Sequence, residues 1–371
     1  MKTVTCPTEA VCAGCDYLGL TLDAQLSLKK AELAALLSSQ SVTFPNISVW
    51  SPGTHGLRDR LDFTLEEGRF GLRHKQESRI VDLEECPQLS PALHDWFLEF
   101  RQRLPALRKG SIRLRVSPEG QRGLWLDLAN IDIKNLMDET TWLNSWSDDV
   151  IIEMGQRRKF LRRSANTRPE LVDPLFLPWF ETRWRDHKVP LYGQVGSFTQ
   201  PSLVANRWIG EWIQESVEHA KPRRITELGA GQGNLSFPAL SGEAHLTVCE
   251  SDRPALAGFE KTLEVLATEQ GIDLRDRVTM EAGDFLRKSS ESLLQADLLI
   301  ANPPRSGLKA FLEPLSGAQN LSQILYMSCH PESFSEDAPR LQKEGFHLQT
   351  LTLLDQFPQT KHYEVLSHWI R

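Results

Sequence analysis

The stretch 225–236, ITELGAGQGNLS, is the strongest indication of the fold of the C-terminal half of the chain. It has the pattern of a strand, a glycine-rich loop and the start of a helix. Glycines in such a loop can adopt positive φ and let the backbone approach a ligand closely. Further short apolar strands follow, separated by helical stretches, with the sequences HLTVCES, VTMEAGD, ADLLIANPP and QILYMSC. This alternation predicts βαβ units and a mostly parallel sheet, and therefore an α/β fold.

The glycine loop also indicates a bound cofactor. One strand later, LTVCES ends at Glu250, whose carboxylate can hydrogen-bond the hydroxyls of a ribose. The loop lacks the GxGxxG spacing of dinucleotide-binding proteins. It resembles the E/DxGxGxG loop of S-adenosylmethionine-dependent methyltransferases. The alternative interpretation is an ordinary tight turn.

Residues 1–188 have a different pattern. Residues 22–40 show helical periodicity, and the segments after them alternate like strands joined by hairpin turns, as in 60–74 and 111–127. We therefore predict an N-terminal α+β domain over residues 1–188 and an α/β domain over 189–371. The segment 166–180 contains three prolines, so we expect it to be irregular.

The 371 residues carry a net charge of -7, yet two basic clusters lie in the first half, at 108–115 and 157–163. Either cluster alone is typical of a solvated surface, but together they favour a phosphate-binding surface. No window approaches the roughly 18 apolar residues of a membrane span. The N-terminus also lacks the apolar region of a signal peptide. We therefore expect a cytoplasmic protein that has no membrane contact.

Two further motifs end strands of the predicted sheet. LIANPPRSGL places Asn302 after one apolar strand, and YMSCHP places Cys329 after the next. Ligands bind at the carboxyl ends of strands in open α/β sheets, so both residues are candidates for substrate contact. The alternatives are a turn that stops a strand and a buried thiol. Taken alone, NPP also suggests methyltransferases acting on an amino nitrogen, although those usually have an aromatic residue where Arg305 stands.

Together these motifs resemble one family, the RNA uracil-5 methyltransferases, which form 5-methyluridine. The resemblance covers, in chain order, SFTQPS, ELGAGQGNLSFPAL, ANPPRSGL, YMSCHPESF and DQFPQTKHYEV. It implies a C-terminal Rossmann-like class I S-adenosylmethionine methyltransferase domain. Because the cysteines begin at residue 6, we also expect the auxiliary N-terminal oligonucleotide-binding domain of some members to be lacking.

The family's reaction needs a nucleophile and a base. Uracil C5 becomes nucleophilic when a thiolate adds to C6 and turns the C4–C5 unit into an enolate. A general base must later remove the C5 proton so that the thiol can leave. The resemblance assigns the nucleophile to Cys329 and the base to Glu364. It assigns S-adenosylmethionine contacts to Gln200, Gly229, Asn234, Glu250, Asp284 and Asn302.

Two positions depart from the family pattern. The family usually has Asp where Asn302 stands and Asn where His330 stands. An amide donates and accepts hydrogen bonds but carries no charge. An altered base choice, a lower activity and a non-catalytic RNA-binding paralogue therefore stay open beside uracil methylation. Methylation of a base nitrogen also stays open, because the NPP motif alone suggests it.

Four cysteines form a candidate metal frame. Cys6, Cys12 and Cys15 have the spacing C-x5-C-x2-C, and Cys86 follows 71 residues later. The residues alone leave zinc and a [4Fe–4S] cluster open. The iron–sulfur branch of the family has this spacing, so the resemblance implies a [4Fe–4S] cluster. Uracil methylation is redox-neutral, and we therefore expect the cluster to be structural.

The target must expose an unpaired base. Uracil C6 is inaccessible in a duplex, so we expect single-stranded or loop RNA, or a flipped base. By analogy with the iron–sulfur branch, we expect ribosomal RNA, specifically 23S, rather than transfer RNA. We also expect the protein to be a monomer.

Overall fold

The computed structural model describes residues 3–164, 167–285 and 295–371. The chain forms two compact units, and neither is continuous in sequence. The N-terminal unit contains the residues up to Thr21, Gly53–Phe180 and Gly193–Leu203, and the C-terminal unit contains Leu22–Pro52, Glu181–Tyr192 and Val204–Arg371. We predicted one boundary near residue 188. The chain passes between the units at five points, two of which flank that residue.

The strands of the described part of the chain are numbered in chain order. They are β1 (Ile47–Trp50), β2 (Arg60–Glu66), β3 (Arg69–Arg73), β4 (Ile80–Asp82), β5 (Lys109–Val116), β6 (Arg122–Asp127), β7 (Val150–Met154), β8 (Lys159–Ser164), β9 (Thr167–Val172), β10 (Leu177–Trp184), β11 (His187–Gly193), β12 (Arg224–Leu228), β13 (His245–Glu250), β14 (Val278–Ala282), β15 (Leu298–Ala301), β16 (Gln323–Ser328), β17 (His347–Leu354) and β18 (Glu364–Ile370).

The α-helices of the same ranges are numbered in the same way. They are α1 (Leu22–Ser39), α2 (Pro91–Arg101), α3 (Asn130–Asp138), α4 (Thr140–Asn144), α5 (Leu203–Ala220), α6 (Ser236–Ala239), α7 (Arg253–Glu269) and α8 (Pro331–Lys343). Short 3-10 helices cover Arg275–Arg277 and Lys309–Gly317. None of the described helices is long and apolar enough to cross a membrane.

An eight-stranded sheet in the order β4-β3-β2-β5-β6-β7-β8-β9 forms the N-terminal unit. Its pairs are antiparallel except β6 with β7. The predicted hairpin between β2 and β3 is present, and its turn residues Glu67 and Gly68 both have positive φ, as a two-residue type I′ turn requires. Helix α2 begins after Ser90, whose Oγ accepts a hydrogen bond from Leu93 N. Its aromatic residues pack into the buried core of this sheet.

The proline-containing segment 166–180 is more regular than predicted. It contributes β9 and the first residues of β10, so the expectation of an irregular segment was wrong. Pro169 lies in β9, which is the edge strand of its sheet. Pro178 lies near the start of β10, which pairs only with β11 among the described strands. Proline is tolerated at both places because edge strands and strand starts can leave its missing N–H unpaired.

The C-terminal unit contains the predicted α/β sheet, in the order β1-β17-β18-β16-β15-β12-β13-β14. Strands β12 to β16 run parallel to one another. Strand β18 is antiparallel to both β16 and β17. The α/β expectation for this half is confirmed, with β17, β18 and β1 extending the parallel sheet on one side.

The segment 22–52 belongs to this C-terminal unit, although we had placed it in the N-terminal domain. Strand β1 pairs in parallel with β17, with Ile47 opposite Leu351. Helix α1 also turns two polar residues inward. Gln25 and Lys29 are both fully buried, and both bond to the loop between β17 and β18. These contacts join segments that are more than 300 residues apart in the sequence. Local sequence patterns cannot predict such contacts.

Candidate active site

The carboxyl ends of the parallel strands meet at one edge of the C-terminal sheet. Strands β12 to β16 are parallel and hydrogen-bonded in register, so the residues that follow them lie along the same edge. The predicted site residues at this edge are Gly229, Glu250, Asp284, Asn302 and Cys329. The sheet topology thus brings together residues spread over a hundred positions of sequence.

Cys329 and Glu364 are brought to this edge by opposite strand directions. Cys329 directly follows β16, whereas Glu364 is the first residue of β18. The two strands are antiparallel neighbours, and Ser328 is paired with Val365. The end of β16 therefore meets the start of β18. Accordingly, the charges of the Cys329 thiol and the Glu364 carboxyl influence each other.

The carboxyl of Glu364 is buried and accepts a hydrogen bond from Gln356. Its side chain is 4% exposed, and Gln356 Nε2 donates a hydrogen bond to Glu364 Oε1 at 3.1 Å. Burial raises the pKa of Glu364 to about 7, while the Gln356 hydrogen bond and the charge of Arg305 act in the opposite direction. A carboxylate with such a pKa is poised to exchange protons near neutral pH.

Cys329 is half-buried between opposing charges. Burial raises the pKa of its thiol, and the negative charge of Glu364 raises it further. Arg305 lowers the same pKa through its charge and a hydrogen bond to the thiol. Cys329 also stands two residues before the start of α8, and the positive end of a helix dipole favours a thiolate.

His330 supplies the N-cap of α8. Its Nδ1 accepts a hydrogen bond from Ser333 N at 3.3 Å. Asn, the usual family residue, caps helices in the same way through its side-chain oxygen. The departure at His330 is therefore structurally conservative, since both residues present an acceptor to the first turn of the helix.

Arg305 is a further candidate site residue, which was not selected from the sequence. It was noted only because an aromatic residue was expected at its position. Arg305 lowers the pKa of the Cys329 thiol, and its charge also opposes the raised pKa of Glu364. The sequence did contain a signal for Arg305. This residue follows two prolines at the end of one predicted strand, and the next predicted strand ends at a cysteine.

Gly229, in the glycine loop, lies close against the backbone that follows β15. Gly229 has φ of +76°, and a Cβ there would lie 2.6 Å from the backbone oxygen of Asn302. Only glycine fits this position without a shift of the backbone. Glu250 closes the loop, because its Oε2 accepts a hydrogen bond from Gly231 N at 2.9 Å and its Oε1 accepts one from Asp252 N at 2.7 Å. The Glu250 carboxylate is thereby held in one orientation while remaining partly exposed.

Asn234 is placed differently from the other predicted cofactor residues. Its side-chain amide forms two reciprocal hydrogen bonds with the amide of Asn206 on α5, at 2.7 and 2.9 Å. Thr182 Oγ1 donates a hydrogen bond to Asn234 O at 2.8 Å. These contacts use the side chain of Asn234 to fix the loop against α5.

The two remaining predicted cofactor residues lie in different units. Asp284 follows β14 and is partly buried, and the neighbouring Gly283 N donates a hydrogen bond to Glu250 O at 2.9 Å. Gln200 belongs to the N-terminal unit, where it is 6% exposed. The neighbouring carbonyl of Thr199 accepts hydrogen bonds from the guanidinium of Arg60 at 2.8 and 3.1 Å.

The four cysteines of the candidate metal frame all lie in the N-terminal unit and are partly buried. Burial and, to a smaller extent, the charges of Cys86, Cys12 and Cys6 together raise the pKa of Cys15 to about 12. The thiols are thus mutual neighbours. Even so, no group of three or more His, Cys, Asp or Glu in the described ranges could hold a metal ion. A tetrahedral zinc site, whose thiolates stand about 3.8 Å apart, is therefore not preformed.

Most cations of the two predicted basic clusters form hydrogen bonds or ion pairs within the N-terminal unit. Arg115 is 1% exposed, and its guanidinium donates hydrogen bonds to the carbonyls of Gln194, Val195 and Ser197. In the second cluster, Arg163 likewise donates to backbone carbonyls, and most of the other cations there are paired with acids or amides. Within 108–115, Arg108 and Lys109 stay exposed. The phosphate-binding surface expected from these clusters is therefore smaller than the count of cations suggests.

The matched family model and the similar proteins are all described as RNA methyltransferases. A family model described as tRNA (uracil-5-)-methyltransferase matches residues 279–368. An uncharacterized RNA methyltransferase of Bdellovibrio bacteriovorus is 45% identical, over 99% of this chain and 95% of its own length. The 23S rRNA (uracil(1939)-C(5))-methyltransferase RlmD of Halomonas elongata is 26% identical, over 97% of this chain and 74% of its own.

Among solved structures, the tRNA (uracil-54, C5)-methyltransferase of Pyrococcus abyssi, in complex with S-adenosyl-L-homocysteine, has a TM-score of 0.69. It is 20% identical and covers 96% of this chain and 86% of that one. At this level of identity, the similarity establishes the fold.

Proposed function

Because this chain belongs to the RNA (uracil-5-)-methyltransferase family, we propose that it methylates C5 of a uracil in RNA through a covalent Cys329 adduct. The observation that carries the proposal is the meeting of Cys329, Glu364 and Arg305 where β16 ends and β18 begins. A nucleophile and a base are the two groups that this chemistry requires, and a nearby cation stabilises the thiolate form of the nucleophile.

Cys329 starts the reaction. Its thiol gives its proton to solvent water, and the sulfur forms a bond to uracil C6 while the C5–C6 π electrons move toward O4 as an enolate. Arg305 supports this step because its positive charge and hydrogen bond stabilise the thiolate. When bound, S-adenosylmethionine supplies the electrophilic methyl group that C5 accepts.

Glu364 completes the reaction. It removes the proton from the methylated C5, and the electrons of that C–H bond re-form the C5–C6 double bond as the bond between C6 and the Cys329 sulfur breaks. Its burial keeps water away and raises its pKa to about 7, so the ionised carboxylate is a stronger base than an exposed one. Gln356 holds the carboxyl in position through its hydrogen bond.

The cofactor would lie over the carboxyl ends of β12 to β15. The close approach of Gly229 to Asn302 and the fixed carboxylate of Glu250 support this placement. Asp284 and Asn302 border the same edge and would take up the remaining polar groups. Gln200 is proposed as a contact by family resemblance, and Asn234 as a residue that holds the loop in shape.

The proposed target is a single-stranded or loop uridine, with 23S ribosomal RNA favoured over transfer RNA. Similarity to several RlmD proteins over 97–98% of this chain and 74–80% of their own length supports the ribosomal assignment. We further propose that Cys6, Cys12, Cys15 and Cys86 hold a structural [4Fe–4S] cluster. The four cysteines supply the four thiolates that such a cluster takes, and the charges of neighbouring thiols act on Cys15 and on Cys86.

The direct test is methylation of RNA from a strain that lacks the gene. Incubation with S-adenosylmethionine labelled in the methyl group should give 5-methyluridine, identified by nucleoside mass spectrometry. Label on a base nitrogen would instead favour the amino-methyltransferase interpretation of NPP. RNA and cofactor binding without any transfer would favour the inactive paralogue, for which the amide of Asn302 is the motivating feature.

A further inference from the structure

We propose that Asp337 is a positioning residue that holds the Arg305 loop against Cys329. The inference rests on the proposed function only for its consequence in catalysis, because the contacts that carry it are independent of the substrate. Asp337 lies on α8, eight residues after Cys329, and its side chain is 3% exposed. It was not a candidate in the sequence.

The carboxylate of Asp337 ties three elements of the C-terminal unit together. Its Oδ2 accepts hydrogen bonds from Leu308 N at 2.7 Å and from the hydroxyl of Tyr326 at 2.8 Å. Its Oδ1 accepts one from Lys309 N at 3.3 Å. Tyr326 belongs to β16, and Leu308 and Lys309 end the loop after β15. One buried carboxylate therefore links the strand and helix on either side of Cys329 to the loop that carries Arg305.

That loop has little freedom between its two ends. Asn302 N donates to Leu228 O at 3.1 Å at its start, and Leu308 N donates to Asp337 at its end. Between them, Gly307 N donates to Pro304 O at 2.9 Å and closes a turn. Gly307 has φ of +75°, and a Cβ there would lie 2.6 Å from Asp337 Oδ2. The turn is thus pressed directly against the Asp337 carboxylate.

Arg305 sits inside this turn and is itself exposed. An exposed arginine samples many rotamers, so its contact with the Cys329 thiol depends on where its backbone is held. Asp337 fixes that backbone relative to β16 and α8. The other charged groups acting on this region are Glu364 on β18, which faces Cys329, and Arg340 on α8, which acts on Asp337.

Two roles of Asp337 can be distinguished by the direction in which its removal shifts the pH profile of Cys329 alkylation. Asp337 could act through its own charge, or it could position Arg305. If Asp337 acted on Cys329 only through its own negative charge, its removal would lower the thiol pKa and speed alkylation. If it acts by holding Arg305, removing it weakens the stabilisation of the thiolate, so alkylation slows and its pH profile moves upward. The two roles predict opposite signs.

The test is iodoacetamide alkylation of the full-length protein between pH 6 and pH 10, followed in the Cys329 peptide by mass spectrometry. We expect Asp337→Ala to move the Cys329 profile to higher pH by about half to one unit, which lowers the rate at pH 8 about 3- to 10-fold. Arg305→Gln should shift it similarly, and the double variant should shift it no further. Asp337→Asn keeps an acceptor for Leu308 N and should retain most of the wild-type profile.

Tyr326→Phe is the matched control, since it removes one partner of Asp337 but leaves the carboxylate bonded to the loop. Its profile should stay close to that of the wild type. An unchanged profile for folded Asp337→Ala, a downward shift, or full additivity with Arg305→Gln would each overturn the proposal. If the Ala variant does not fold, a downward shift in Asp337→Asn would overturn it. Failure to methylate uracil would leave this alkylation result standing and would refute only the proposed function.

Discussion

Lys29 Nζ lies 2.8 Å from Asp355 Oδ1, and both side chains are fully buried. Lys29 also donates a hydrogen bond to Phe357 O at 3.2 Å. Beside it on α1, Gln25 exchanges two hydrogen bonds with Gln359, whose φ is +68°. Helix α1 therefore holds the loop between β17 and β18 in place. This loop contains Gln356, which donates a hydrogen bond to Glu364 at the start of β18.

We predict that Lys29→Met destabilises the protein strongly. Removing one member of a buried ion pair leaves an uncompensated charge, at a cost of about 3–5 kcal/mol. Urea unfolding should show this loss. Lys30→Met, one position along the same helix but in an exposed contact, should change stability by less than about 0.5 kcal/mol. Equal effects of the two variants would contradict the role of the pair.

We predict that Glu364→Gln stabilises the protein at alkaline pH. The pKa of Glu364 is about 7 in the folded protein against 4.5 for the unfolded chain. The folded state therefore holds the proton more tightly, so stability is lost as pH rises from about 4.5 to 7. The loss is about 3 kcal/mol. The Gln variant should exceed the wild type by up to that amount at pH 8 and match it at pH 4.5, whereas exposed Glu336→Gln should show no such trend.

The same variant should trap the reaction half-way. Glu364→Gln keeps Cys329 but lacks a base for the C5 proton, so a covalent protein–RNA adduct should persist on a denaturing gel. The Cys329→Ala, Glu364→Gln double variant should form none. In the wild type, release of tritium from RNA labelled at uracil C5 should rise with pH through about 7, as Glu364 ionises. Loss of tritium that does not depend on pH over this range would argue against Glu364 as the base.

His330 should be replaceable by the usual residue of its family. His330→Asn preserves an N-cap acceptor for Ser333 N, and we expect its stability to stay within about 0.5 kcal/mol of the wild type. His330→Ala removes the cap and should cost about 1 kcal/mol. Chemical denaturation of the two variants measures the difference. An Asn variant as unstable as the Ala variant would show that His330 does more than cap α8.

Anaerobic purification should yield a brown protein containing iron and sulfide. Replacement of Cys15 by Ser should lower the iron content and destabilise the N-terminal unit, because cluster binding contributes folding free energy. Cys249→Ser is the control, since Cys249 is a buried thiol of the C-terminal core. A colourless wild-type protein with stoichiometric zinc would refute the cluster.

The parallel sheet and the edge that carries the candidate site residues could be predicted because each strand and the residue after it form a local pattern. The motif ending at Cys329 and the motif ending at Asn302 both mark strand ends. The assignment of β1 could not be predicted in the same way, because a four-residue strand contains no information about which distant edge it joins. Its partner β17 begins 300 positions later.

Charge was the least predictable property. Arg115 and exposed Arg108 look alike in the sequence, yet only Arg115 lies beneath the segment 194–199 and bonds to its carbonyls. Arg305 shows the converse, because its importance comes from the neighbouring strand end rather than from its own motif. Whether a cation serves folding or chemistry depends on tertiary neighbours, which a single sequence does not display.

The bond between Lys29 and Asp355 also constrains the order in which the protein can mature. The two residues are 326 positions apart, so at 5–20 residues per second the ribosome delivers Asp355 roughly 16–65 s after Lys29. During that interval α1 and β1 exist without the partners that bury them. An interrupted chain that stops short of residue 355 lacks both Asp355 and the Glu364 carboxylate, and so a truncated protein that still contains Cys329 could not complete the proposed catalytic cycle.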